Sequence, residues 1–199
     1  MIAYVGSETG EENNVSPLTA YNHGLAIAMK DAYSSNCSWG SHTGSIDNFY
    51  QWDGSGSPAS ESGLQYCDAR NTEDWPAFKA CASYSVAGYD PNEHGCSPWF
   101  LCSAYQWNQI LAACKDVKGL IYNGFTDSYV EISGLRDAFS SRGGENIKKQ
   151  NYWPCTERSA YGVYVYNFND LNEWLYSGWY YGDYNKTGGG SYVRSVFAF

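Results

Sequence analysis

Trp99-Phe100-Leu101-Cys102-Ser103-Ala104-Tyr105-Gln106-Trp107-Asn108 carries the strongest local signal in the chain. Ser103 stands three residues before Gln106, the spacing of a capping box: the hydroxyl accepts from one orphan N–H of the first turn, and the amide side chain accepts from the N–H of the cap itself. Behind it Trp107, Ile110, Leu111 and Cys114 recur at helical spacing, which predicts a helix over 104–117 with one apolar face. Trp99-Phe100-Leu101 is a short buried run that feeds the cap.

Working outward, Gly24-Leu25-Ala26-Ile27-Ala28-Met29 alternates large apolar residues with alanines, the period of a buried strand. Residues 73–85 read as a helix, with Pro76 in the first turn, where its missing N–H costs nothing, and with Phe78, Cys81, Ala82 and Ser85 on one face. A third helix is expected over about 130–141, carrying Ile132, Leu135 and Phe139 and stopping at Gly143-Gly144. The remainder of 1–70 is rich in Ser, Gly and Asn and reads as surface loops, Gly54–Pro58 among them. Residues 163–168 and 192–199 are strand-like. Between them 169–191 has no sustained period, and a loop of that length in a compact domain is commonly functional.

The composition narrows the classes. The 199 residues fit one domain, and with 43% hydrophobic residues the chain can bury a core. Charged residues are only 17%. The net charge of −9 argues against a nucleic-acid partner. No run approaches the ~20 apolar residues that span a bilayer, so no membrane insertion is expected. The opening MIAYVGSETG lacks the basic start and apolar run of a signal peptide. Seven cysteines without a CxxC or zinc-ligand spacing read as buried free thiols, with an oxidised pair inside 37–102 left open.

The last quarter is aromatic-dense: 152–199 holds nine tyrosines, three tryptophans and three phenylalanines. Within it, Tyr152-Trp153-Pro154-Cys155-Thr156-Glu157 resembles the YWSSTE motif of bacterial and phage domains with the C-type lectin fold. Phe168, Lys186 and the ending Tyr192–Phe199 resemble the same family's strand, loop and VRPVRAF terminus. His23–Ala32 and Trp99–Asn108 are similar to its HGLALALKDA and WFLPSAGQWN segments. The four matches occur in family order and span about 23–199. The chain departs from the pattern at Pro154-Cys155, Ser195 and Phe197. The resemblance is to the variable proteins of diversity-generating retroelements, in which a reverse transcriptase randomises adenines of a template and the copy replaces the 3′ end of the target gene.

That resemblance implies an α+β C-type lectin-like domain over 1–199: two main helices packed on a twisted, mostly antiparallel sheet, with long loops. It also implies a variable region within 152–199, and a scaffold that includes Trp107, Trp153, Glu157, Phe168, Lys186 and Arg194. The charged members of that scaffold should pair or bond backbone, because buried charges need partners. Randomised AAY codons become NNY, which never encode Trp, Lys, Glu, Gln or Met. Between 158 and 184 only Glu173, Trp174 and Trp179 fail that test. Independently of any family, Tyr and Trp among Ser, Gly and Asn is the composition of antibody paratopes.

The expected ligand-binding residues are therefore Cys155, Arg158, Tyr161, Val165, Asn167, Asp170, Asn172, Trp174, Tyr176, Trp179, Tyr181 and Tyr184. The facing of 163–168 stays open: Phe168 as a core residue puts Tyr164 and Tyr166 inward, whereas small valines suit a packed interior. The expected function is ligand recognition, as a receptor or adhesin, of a protein or cell-surface target, at a virion or bacterial cell surface. A further N-terminal segment is a possible carrier of that attachment. A non-diversified structural or adhesive tip domain is the alternative.

No enzyme is expected. An oxidoreductase of the formylglycine-generating type shares the fold in outline but needs a cysteine pair near the C-terminus, where Cys155 stands alone among the last 85 residues. His23, His42 and His94 sit in no nucleophile or metal motif. Asp90-Pro91-Asn92-Glu93, though similar to the calcium motif of sugar-binding lectins, reads as a turn. So does Gly188-Gly189-Gly190. Asn185-Lys186-Thr187 fits a glycosylation sequon, a cheap match. No cofactor or metal is expected.

Overall fold

Among the described residues, three short α-helices and ten short strands build the fold. The computed structural model describes residues 1–7, 9, 11, 21–41, 62–113, 129–131, 139–157, 162–168, 174–176, 184–188 and 190–199. The central element is an open four-stranded antiparallel sheet in the order β1 (Ile2–Val5), β2 (Gly24–Ile27), β10 (Ser195–Ala198), β3 (Phe100–Leu101). Ala26 of β2 faces Ile2 on one side and Phe197 on the other. The first and last strands thus share one sheet with β2 between them.

The alternation in Gly24–Met29 now has its physical reason. Leu25 and Ile27, with Val196 and Ala198 of β10, enter the main core, where Phe78, Trp107 and Ile110 also lie. Ala26 and Ala28 face the other way, against Trp99 and Phe197 in a second, smaller cluster. Large side chains serve the deep face and alanines the shallow one, so both faces of β2 are buried.

The helices are α1 (Gly63–Arg70), α2 (Pro76–Ala82) and α3 (Ala104–Ala113). The capping box forms as its spacing dictates: Gln106 N–H donates to Ser103 Oγ at 3.2 Å, and Ser103 N–H to Gln106 Oε1 at 2.8 Å. Trp107, Ile110 and Leu111 are buried behind it, while 114–117 lie outside the described residues. Helix α2 starts at Pro76 and ends at Ala82, short of the expected 73–85, and buries Ala77, Phe78 and Cys81. Helix α1 went unread in a segment taken for loop. Ser62 caps it by accepting from Gln65 N–H at 3.0 Å.

Three further expectations change. Residues 129–131 form strand β4 (Tyr129–Glu131), so the predicted third helix does not begin at 130. Its body, 132–138, lies outside the described residues; Phe139 is buried, and Gly143 takes the left-handed φ of +75° that ends the turn. Residues 163–168 are not one strand. They divide into β6 (Gly162–Val163) and β7 (Tyr166–Asn167), pairing with β9 (Tyr184–Asn185) and β5 (Asn151–Tyr152) respectively. The terminal strand is shorter than 192–199, since Ser191 and Tyr192 form only isolated bridges.

Candidate functional site

The tail is anchored by a row of buried residues. Trp153, Glu157, Phe168, Lys186 and Arg194 are each inaccessible to solvent or nearly so, as is Trp107 beneath them. The Trp153 indole N–H donates to Cys37 O at 2.8 Å, and the Trp39 indole N–H donates to Pro154 O at 2.8 Å. Two tryptophans thus clasp the 152–157 segment to the 37–39 loop from opposite directions. Trp107 packs its ring against Tyr152, Tyr166 and Phe168. Tyr166 donates its hydroxyl to Ala104 O at 2.7 Å, and Thr156 Oγ1 accepts from Ala104 N–H at 2.8 Å. The N-terminus of α3 is therefore tied to the tail at both Thr156 and Tyr166.

Two charged centres complete the anchoring. Lys186 Nζ pairs with the Glu157 carboxylate, both side chains at 0% exposure, and lies 5.5 Å from the Trp39 ring centroid. Burial, and after it the Arg70 guanidinium, pull the Lys186 ammonium down to about 8. Glu157 is its counter-ion. Asp31 is the second centre. It accepts from Arg194 Nη2 at 2.6 Å, Arg194 Nε at 2.9 Å, Lys148 Nζ at 2.6 Å and Tyr152 Oη at 3.0 Å. Arg194 also donates to Glu145 O at 2.9 Å, which satisfies a buried cation with little left to water. Asp31 and Trp39 were not singled out in the sequence. The available signal was a carboxylate just beyond a buried strand in a charge-poor chain.

The expected ligand-binding residues separate into three groups. Cys155 and Val165 are corrected. Cys155 is fully buried, its N–H bonded to Cys102 O at 2.9 Å, and Val165 is buried in the main core. Neither side chain reaches a ligand from there. The facing question resolves the same way, since Tyr164 and Val165 are both buried where the chain crosses from β6 to β7. Asn167, Trp174, Tyr176 and Tyr184 lie in β7, β8 (Trp174–Tyr176) and β9, with Tyr176 opposite Tyr129 and Tyr184 opposite Val163. Arg158, Tyr161, Asp170, Asn172, Trp179 and Tyr181 lie outside the described residues.

Other sequence candidates behave as structure. Asp90 caps a 3-10 turn over Pro91–His94, accepting from Asn92 N–H at 2.9 Å. Asn185 Oδ1 accepts from the Thr187 N–H and hydroxyl in a tight turn. Six cysteines, 37, 67, 81, 96, 102 and 155, are free thiols. Burial pushes Cys37 up to about 12, and Cys67, Cys81 and Cys102 are also raised. Among the described residues no cluster of three or more His, Cys, Asp or Glu could hold a metal, and no helix is long and apolar enough to cross a membrane.

No family model and no curated protein matches the chain. Among solved structures it is similar to a fimbrial protein from Bacteroides ovatus ATCC 8483, with a TM-score of 0.52 and 15% identity, covering 100% of this chain and 43% of that one. The chain thus spans less than half the length of that protein. At this identity the likeness concerns the fold: a mixed α/β arrangement on an open antiparallel sheet.

Proposed function

We propose that the chain is a surface recognition domain of adhesin type, with a C-type lectin-like scaffold whose aromatic tail contacts a protein or cell-surface ligand. The tail is diversified by a retroelement. The observation that carries this reading is the division of labour inside 152–199. The motif residues Trp153, Glu157, Phe168, Lys186 and Arg194 are buried and bonded to the framework. Apart from Glu173, Trp174 and Trp179, the letters of the intervening segments 158–161 and 169–183 suit both randomised codons and a paratope. The fold likeness to a fimbrial protein agrees with a surface role, on a bacterium or a virion.

The reading assigns no catalysis, cofactor or metal. Cys155, the one candidate thiol for an oxidase, is buried. The deciding experiment is sequencing the DNA beside the gene. A near-repeat of codons 152–199 differing at adenines, next to a reverse transcriptase, is the expected result. Its absence leaves the non-diversified adhesive tip domain as the reading. Binding should also survive EDTA, since the Asp90–Glu93 turn is a structural cap; a loss of binding restored by calcium would argue for the lectin-type metal site instead.

A further inference from the structure

We infer that the open edge of strand β1 is a homodimer interface, at which Ile2 and Val5 of one copy pair with Val5 and Ile2 of a second copy across a two-fold axis. This inference is independent of the recognition reading above.

Strand β1 closes one side of the four-stranded sheet, with β2 as its one strand neighbour. Its pairing fixes where its backbone points. Met1 and Ile27 exchange both backbone bonds, at 2.9 and 2.8 Å, and Gly6 N–H donates to His23 O at 2.9 Å. Between these bonds Ile2 stands opposite Ala26 and Val5 opposite Gly24. Positions next to a hydrogen-bonded pair are non-bonded, so Ile2 and Val5 aim their N–H and C=O away from β2. Among the described residues neither finds a hydrogen-bond partner on that side. The two side chains share a face. Ile2 goes with Ala26, which lies with Trp99 and Phe197 in the smaller cluster, and Val5 goes with Gly24, two residues from Ala26 and on the same face. Residues three apart in a regular strand face opposite ways; the bulge between Ile2 and Tyr4 supplies the extra residue that brings both to one face. Ile2 is 63% exposed and Val5 75%, the highest values among the described large apolar residues. Half-buried Phe199 rests over Gly24 beside Val5, where a Cβ would meet its Cζ at 2.5 Å.

A second copy fits this edge by the edge's own symmetry. Antiparallel addition about a two-fold axis sets Ile2 against Val5 of the second copy, and Val5 against its Ile2. Each such pair can exchange both backbone bonds. All four side chains then land on one face, beside the two Phe199 rings, and leave water together. That is the isologous contact of a two-fold dimer. Charge favours the same place. Residues 1–7 carry no charged side chain in a chain of net charge −9, so two copies meet here without setting carboxylate against carboxylate. Proteins that keep an edge single place Lys or Pro on it. Strand β1 has neither, and its bulge gathers the apolar pair on one face instead of shielding it.

The test is sedimentation of the full chain over a concentration series, with circular dichroism as the check on folding. The expected result is a reversible dimer in the micromolar range, as a small interface allows. Added salt should tighten it by screening the like net charges. Val5→Lys puts a charge on an exposed edge position and should weaken association roughly tenfold or more, with the spectrum unchanged. Val86→Lys is the control, at a 42% exposed apolar site in the Val86–Tyr89 turn, and should alter association by no more than about twofold. Cross-linking reads the register. Bonded strand pairs hold their Cα atoms ~5.5 Å apart, a distance that disulfides span. A mixture of Ile2→Cys chains and Val5→Cys chains should therefore oxidise to a covalent dimer above the wild-type background, and neither variant alone should. A monomer at every concentration overturns the inference. So does a dimer that Val5→Lys leaves intact, or one that cross-links no better in the mixture than in the separate variants.

Discussion

Lys186 and Glu157 make the sharpest case at the scale of single residues. Both are sealed from water, and each is the other's counter-ion. Removing one partner strands a buried charge, so Lys186→Met should cost about 3–5 kcal/mol. Adding Glu157→Leu should recover most of that loss, because a packed apolar pair replaces an ionic one at little net cost. Denaturant melts of the single and double variants check this, and a double variant no better than the single would show that the pair is not an isolated unit. Trp153→Ala should likewise cost about 3–5 kcal/mol as a core aromatic truncation, with the indole bond to Cys37 O lost as well. Glu157, Lys186 and Arg194 were legible in the sequence because charges are scarce in this tail and their positions match a motif. Asp31 was not, because no sequence pattern says that one carboxylate will gather Lys148 and Tyr152 from one distant segment and Arg194 from another.

Local chemistry decided which elements could be read in advance. Helix α3 was legible because two independent signals agree, the Ser103–Gln106 box and an apolar face. Ser103→Ala removes the acceptor for Gln106 N–H and should cost about 0.5–2 kcal/mol in a thermal melt. Helix α1 was missed although Ser62 and Gln65 stand at the same spacing. Its eight residues, with Leu64 and Cys67 buried, are too few to show a periodic face. Strand β2 was legible because one face takes large residues and the other alanines. The stretch 163–168 defeated period-2 reasoning for a tertiary reason. β6 and β7 pair with different partners, so the chain turns between them and buries Tyr164 and Val165 alike. That turn puts one expected ligand contact, Val165, in the core; Cys155 is buried separately, beside Cys102.

For the whole molecule, the reading requires stability and recognition to reside in different parts of the chain. Replacing Tyr161, Asp170, Tyr176 and Tyr181 together by Ser or Asn should change stability little, about ±0.5 kcal/mol per site, while binding is lost. A quadruple variant that melts as low as Trp153→Ala would place the aromatic tail in the core. The thiols offer a second check on the packing. Burial raises Cys67, Cys81 and Cys102, which suppresses the reactive thiolate. Alkylation at pH 8 followed by mass mapping should leave these three unmodified in the native protein and label them after denaturation. A disulfide between any two of them would prevent that labelling.

Strand β10 has a consequence for how the protein is made. It sits between β2 and β3, yet it is synthesised after residues 158–184. The sheet cannot close until those residues have been translated in the correct frame, because Val196, Phe197 and Ala198 must reach β2. An insertion or deletion of one base anywhere in 158–184 erases β10 and with it the middle of the sheet. The edge β1–β2 pair and the α2–β3 contacts would then lack the strand that joins them. Reading-frame errors in this region would yield chains that cannot fold and are open to proteolysis. Substitutions would yield folded molecules with altered surfaces, so the position of one strand makes the fold a frame checkpoint for the segment that precedes it.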